Sequence, residues 1–133
     1  AMHMSWVSHV CGRLKSDYRY SKDIVYNNFP WPGEPTEKQR STIEQAAQAV
    51  LDARAVHPDA SLADLYDPVA MPPDLRRAHQ ALDKAVDAAY AGAGFKPAPT
   101  KSDAERVAFL FELYHRYTSM LPAPEAPKRR KRK

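Results

Sequence analysis

The sequence predicts a mainly α-helical protein, a small bundle of three long helices and one short helix preceded by an extended, β-like segment. Three observations lead to this prediction. Apolar residues recur at helical spacing in three long stretches, and capping motifs precede the helices. Aromatic residues alternate with polar ones near the N-terminus. With 133 residues, the chain suits one small soluble domain, which its twelve prolines divide into short pieces.

The division that follows from these patterns has three parts. Residues 1–32 are predicted to form the extended segment, and residues 33–121 the helical domain. Residues 122–133 are rich in proline and basic residues, and we expect them to be disordered.

The extended segment contains two strand candidates. Residues 14–20 alternate and are rich in tyrosine, which favours a strand, and residues 24–26 form a shorter candidate. Two strands alone are marginally stable in water. We therefore expect this segment to pair with another part of a longer protein, or with a second copy of the chain in a homodimer.

Capping motifs mark where the helices begin. Thr36 and Gln39 fit a capping box before a helix over residues 37–57, and Ser61 starts a short helix over residues 61–66. Another helix is predicted from Pro73 to about residue 92, and the last over residues 103–119 behind Ser102. His79 and His115 fall on the apolar stripes of these two helices, which predicts hydrogen-bonded histidines in the core.

The basic charge is concentrated at the two ends of the chain. The formal net charge is +4, but residues 33–127 alone carry −4. A run of basic residues attracts the phosphates of nucleic acid without reading sequence. The alternative is a solubilising end or an import-like string. The predicted phosphate-binding residues of the tail are Lys128, Arg129, Arg130, Lys131, Arg132 and Lys133.

The absence of certain residue types and motifs excludes several classes of protein. One cysteine, Cys11, allows neither an internal disulfide nor a cysteine-rich zinc site, and the five histidines show no metal-ligand spacing. No glycine-rich nucleotide motif and no apolar run of membrane-spanning length occurs. We therefore predict no catalytic residue, no metal, no cofactor and no membrane contact for this chain.

The most informative residues lie between positions 13 and 20. If these residues are extended, Arg13, Lys15, Asp17 and Arg19 share one face. Lys15 could donate to guanine and Asp17 could accept from cytosine, so that the two read one G·C pair in the major groove. Arg13 and Arg19 would then hold phosphates. The alternative is an ordinary solvated strand face with weak ion pairs.

These residues resemble a known family. Residues 12–21 (GRLKSDYRYS) and 25–32 (VYNNFPWP) are similar to the end of the target recognition domain of MmeI-like enzymes. These are large, single-chain DNA adenine methyltransferases of type IIL restriction-modification systems. Residues 50–54 (VLDAR) and 61–67 (SLADLYD) resemble the C-terminal helical domain of the same family. The basic tail is a departure from the family pattern.

The resemblance implies more than this chain holds. It implies an upstream adenine-N6 methyltransferase domain that uses S-adenosylmethionine and an Asn-Pro-Pro-Tyr type motif, which is absent here. In the family, residues matching Lys15 and Asp17 are associated with choosing one base pair of the target. We therefore expect a non-catalytic, DNA-recognising C-terminal piece of a bacterial cytoplasmic methyltransferase, with double-stranded DNA and the upstream domain as partners.

A second hypothesis comes from a different class of function. The helical bundle could be a protein-interaction or assembly module whose acidic middle faces another domain. Only the basic tail would then touch DNA, without specificity.

Overall fold

The computed structural model describes residues 1–92 and 102–120. Helices dominate, which confirms the predicted fold class. In chain order the regular elements are α1 (Met2–Val10), β1 (Gly12–Leu14), β2 (Asp17–Arg19), a π-helical turn (Lys22–Tyr26), α2 (Glu37–Ala55), α3 (Leu62–Leu65), α4 (Pro73–Ala89), a 3₁₀ turn (Tyr90–Gly92) and α5 (Asp103–Ser119).

Helices α2 to α5 begin where the local motifs predict. Both predicted capping motifs before α2 and α3 are complete boxes: Thr36 exchanges hydrogen bonds with Gln39, and Ser61 with Asp64. Ser102 accepts a hydrogen bond from the amide of Glu105 at the start of α5. Pro73 occupies the first turn of α4, where its missing N–H has no helical acceptor to lose.

The first 32 residues differ from the prediction of an extended segment. Residues 2–10 form α1, and the expected strand over residues 24–26 is part of the π-helical turn. No side chain caps α1, so the motifs used for the other helices give no signal here. Its stability comes from Trp6 and Val7, which are buried against α5.

A first hydrophobic core packs this N-terminal segment against α5, the last helix described. Trp6, whose indole Nε1 donates to the Val25 carbonyl at 3.2 Å, lies among the side chains of α5. The buried members of this core are Met2, Trp6, Val7, Val25, Phe29, Tyr90, Leu110 and Leu113. The segment thus packs on α5 of the same chain. Its expected pairing with a second copy or with another part of a longer protein stays a prediction.

A second core lies between α2, α3 and α4. Its buried residues are Val50, Leu65 and Leu75, one from each helix. His79 is half-buried and lies 2.8 Å from the Tyr66 hydroxyl through Nε2, so the predicted hydrogen bond is confirmed but the predicted core position is not. His115 is exposed on α5, so its predicted core position is wrong. The reason is that α5 packs mainly on α1, with a buried face that includes Leu113.

Three contacts tie α4 and α5 to each other and to the rest of the fold. Asp87 of α4 and Arg106 of α5 form a buried ion pair at 2.7 Å. Tyr90 and Tyr117 donate their hydroxyls to the carbonyls of Pro30 and Trp31, both at 3.1 Å. Burial raises the pKa of the Tyr90 hydroxyl, so it stays protonated as a donor. These bonds hold the chain that leads from the hairpin to α2.

Candidate nucleic-acid interface

Strands β1 and β2 form an exposed antiparallel hairpin. Every strand residue is exposed, and Lys15 and Ser16 form the two-residue turn between the strands. Lys15 has a φ of 57°, in the left-handed region that a lysine rarely adopts. The turn therefore places Lys15 in a strained backbone conformation at the tip of the hairpin.

The register of the hairpin separates the predicted site residues. Arg13 pairs with Tyr18, Leu14 with Asp17, and Gly12 with Arg19. Paired residues share a face and neighbours along a strand alternate. Asp17 and Arg19 therefore lie on one face and Arg13 on the other.

The prediction of a single continuous strand with four site residues on one face is thus wrong. Lys15 sits in the turn, because the chain reverses at residues 15 and 16, and Arg13 lies on the opposite face from Asp17. All four side chains, Arg13, Lys15, Asp17 and Arg19, remain exposed. Lys15 and Asp17 still lie close together at the tip, where a partner can reach both.

Arg13 has a partner that the sequence analysis missed. Its guanidinium carbon lies 4.5 Å from the centre of the Tyr18 ring, and its Nη2 donates to the Tyr18 hydroxyl at 3.3 Å. A cation above an aromatic ring is attracted to the negative charge density of the ring face. The contact follows from the cross-strand pairing of Arg13 with Tyr18. That pairing can be predicted only if a turn is placed at residues 15 and 16.

Aromatic side chains surround the base of the hairpin. The Nε2 atom of His3 in α1 lies 3.0 Å from the Tyr20 hydroxyl. The His3 ring packs edge-on against Phe29, with 4.6 Å between the ring centres. Trp31 stacks beside His3 and contacts Tyr26. Burial, and secondarily the N-terminal amine, lower the pKa of His3. A ring network thus ties the hairpin to α1 and to residues 29–31.

Comparison with known proteins assigns this chain to a family. Residues 1–33 match the family model of the MmeI target recognition domain, and residues 35–122 match that of the MmeI C-terminal domain. The chain belongs to the MmeI family. The resemblance stated from the sequence is thereby confirmed.

Two relatives of the MmeI family show how much of a longer protein this chain represents. A solved structure of the type IIL restriction-modification enzyme MmeI in complex with DNA is 53% identical, with a TM-score of 0.81. The match covers 90% of this chain and 15% of that one. DNA methyltransferase A of Bacillus subtilis (strain 168) is 44% identical over 117 residues, 88% of this chain and 12% of the relative. The chain spans less than a sixth of either relative.

The family models place the hairpin in the part that matches the target recognition domain. The first core nevertheless includes residues from both matched regions, such as Trp6 and Leu110. The hairpin therefore rests on a base built partly from the C-terminal helices. The division of residues 1–32 and 33–121 into separate domains stays a prediction.

Some predictions lie beyond the residues that the structure describes, or concern groups that it does not contain. The six tail residues Lys128, Arg129, Arg130, Lys131, Arg132 and Lys133 lie outside the described residues. Within residues 1–92 and 102–120, no His, Cys, Asp and Glu side chains gather into a group able to hold a metal ion. In that same part, no helix has the length and apolarity to cross a membrane.

Proposed function

We propose that this chain is the non-catalytic C-terminal part of a bacterial DNA adenine-N6 methyltransferase of the restriction-modification type, and that it contributes to target recognition. The observation that carries the proposal is the exposed hairpin. Lys15 and Asp17 lie at its tip, within the region that matches a target recognition domain. The 53% identity to an enzyme whose structure is described with DNA supports it.

The tip has the chemistry to read one base pair. The ammonium of Lys15 can donate to guanine O6 and N7, and the carboxylate of Asp17 can accept from cytosine N4. The major groove is about 12 Å wide and admits a two-stranded ribbon of this kind. Each such contact contributes about 1–3 kcal/mol of discrimination against the wrong base.

Basic residues around the tip would supply most of the binding energy. Arg19 shares the face of Asp17, and Arg13 lies on the opposite face. Contacts of this kind to phosphates position a protein without reading sequence. We assign the same role to the tail residues 128–133. The proposal also includes an upstream methyltransferase domain that uses S-adenosylmethionine, and a location in the bacterial cytoplasm.

A titration of labelled duplex DNA, followed by fluorescence anisotropy at two salt concentrations, tests DNA binding by the 133-residue chain. We expect weak binding that decreases as salt rises, because phosphate contacts release counterions. Arg19→Ala should weaken binding and reduce the salt slope by about 1. Lys38→Ala, which removes an exposed charge from α2, is the matched control and should have no effect. Binding that ignores salt would contradict the proposal.

The acidic middle of the chain favours a second candidate function. Because residues 33–127 carry −4, the helices could serve as a protein-interaction or assembly module, with nonspecific DNA contact through the tail alone. A homodimer through the N-terminal segment, residues 1–32, is a separate proposal that does not depend on which candidate holds. Deleting residues 128–133 separates the candidates: the alternative predicts that all DNA affinity disappears, whereas our proposal predicts only weakening.

A further inference from the structure

We propose that Tyr18 is a positioning residue that orients Arg13 toward a phosphate of the DNA backbone. The inference rests on the proposed function and deepens it, because it assigns a role to a residue that reads no base. Its basis is the contact in which the Tyr18 ring and hydroxyl both hold the Arg13 guanidinium.

The contact leaves most of the guanidinium available. Arginine has five N–H donors in a planar fork, and one of them, on Nη2, goes to the Tyr18 hydroxyl at 3.3 Å. Stacking on the ring uses the flat face of the guanidinium rather than its remaining donors. Those donors can therefore form a charge-assisted, bidentate pair with a phosphate.

Positioning matters here because Arg13 is a long, charged side chain that is exposed. Its side chain is exposed on a hairpin with no neighbouring strand in the described residues. A long exposed side chain loses rotamer freedom when it binds, and a side chain that is already oriented loses less. The cross-strand pairing of Arg13 with Tyr18 provides this orientation before DNA arrives.

The strand register also separates Arg13 from Asp17 and Arg19. Arg13 lies on the face opposite to those two residues. If the hairpin enters a groove tip first, its two faces point toward the two phosphate backbones that border the groove. Arg13 then contacts one backbone and Arg19 the other, while the tip reaches the bases between them.

A double-mutant cycle on DNA affinity tests the inference in the 133-residue chain. The variants are Tyr18→Ala, Arg13→Ala and the double variant, titrated with one labelled duplex at one salt concentration. We expect Tyr18→Ala to weaken binding about two- to fivefold, the range of an exposed cation–π contact. In the Arg13→Ala background the same substitution should have no effect, because no guanidinium remains to be oriented.

Two further variants control for structure. Tyr18→Phe keeps the ring and removes the hydroxyl, so it should retain most of the affinity. Tyr66→Ala removes a tyrosine of equal exposure, 41% like Tyr18, directly after α3 and should leave binding unchanged. NMR shifts of the hairpin amides show whether each variant keeps the β1–β2 pairing.

The outcomes separate this inference from the function on which it rests. If Tyr18→Ala weakens binding equally with and without Arg13, Tyr18 acts independently and the positioning role is overturned. If Arg13→Ala binds like the wild type while Arg19→Ala does not, the inference fails and the proposed function survives. If Arg13→Ala and Arg19→Ala both leave binding unchanged, the proposed function fails with it.

Discussion

Lys15 combines a strained backbone with an exposed charge at the hairpin tip. A left-handed conformation costs an L-residue other than glycine about 1–2 kcal/mol. Turn positions of this kind are usually filled by glycine or asparagine, which adopt the conformation with little strain. A lysine there is poorly suited to the turn and well suited to contact with a nucleobase or a phosphate. Backbone strain of this kind is often found at functional sites.

Replacing Lys15 by glycine should therefore separate stability from recognition. We expect Lys15→Gly to stabilise the hairpin by up to about 1 kcal/mol, because glycine adopts positive φ without a steric cost. Hydrogen exchange of the hairpin amides measures this, and anisotropy should show weaker DNA binding. Ser16→Gly is the matched control, since Ser16 has no positive φ to relieve. A hairpin that Lys15→Gly destabilises would contradict the strain argument.

The pKa of His3 predicts a dependence of stability on pH. Burial disfavours the charged ring, so the pKa of His3 in the folded chain lies below its ordinary value of 6.5. The unfolded chain then binds the proton more readily, and protonation favours unfolding. The stabilisation from a neutral His3 is complete above pH 6.5 and is lost as pH falls through the lower folded pKa.

Urea unfolding above and below pH 6.5 measures this effect. We expect His3→Gln to reduce the loss of stability on acidification, because the titrating ring is removed. His9→Gln changes an exposed histidine of the same helix and serves as control. An acid dependence that stays the same in His3→Gln would show that His3 does not contribute to it.

Helix α1 shows how an element can depend on tertiary contacts alone. It has only nine residues and no side-chain cap, and isolated helices shorter than about 12 residues are marginal in water. Trp6 is its main anchor, since the indole is 2% exposed and lies 5.1 Å from the Phe111 ring, between centres. Removal of this side chain should release α1 from α5.

We therefore expect Trp6→Ala to lower the free energy of unfolding by about 3–5 kcal/mol, the range for removing a large aromatic side chain from a core. Urea denaturation followed by circular dichroism measures it. Trp31→Ala removes the other tryptophan, which is 49% exposed, and should cost clearly less. Equal losses for the two variants would contradict the assignment of Trp6 as the anchor.

Elements whose signals are local were predictable, and those that depend on distant contacts were not. Thr36, Ser61 and Ser102 mark the starts of α2, α3 and α5 through bonds to residues three positions away. The turn at Lys15 and Ser16 contains no glycine, proline or asparagine, and Ser16, its one common turn residue, also fits the alternating pattern, so the pattern gives only a weak signal for the turn. In the site, the exposure of Lys15 and Asp17 agreed with the sequence, whereas the Arg13–Tyr18 pair required the register.

At the scale of the whole molecule, α4 connects the two cores. Its residue Leu75 lies in the second core, and Tyr90, directly after its end, lies in the first. The Tyr90 and Tyr117 hydroxyls also hold residues 30 and 31. The base of the hairpin is therefore supported by the C-terminal helices.

The Asp87–Arg106 pair joins α4 to α5, and removing only one of its partners should be costly. Arg106→Met leaves the buried Asp87 carboxylate without its partner, and breaking such a pair costs about 3–5 kcal/mol. Burial already raises the pKa of Asp87 despite Arg106. The loss should therefore be smaller in acid, where the carboxyl is neutral. Urea unfolding measures both effects, and the double variant Asp87→Leu/Arg106→Met should regain much of the stability. No recovery in the double variant would contradict this account.

The most direct test of base reading is the sequence that the proposed longer methyltransferase methylates. Lys15→Glu combined with Asp17→Lys reverses both charges at the hairpin tip, and base-resolution sequencing identifies the methylated motif. We predict that one base pair of the motif changes while the others stay, because donor and acceptor are exchanged at one position. Lys38→Glu with Asp52→Lys, the same reversal at exposed positions of α2, should keep the motif. An active enzyme with reversed tip charges and an unchanged motif would contradict the account.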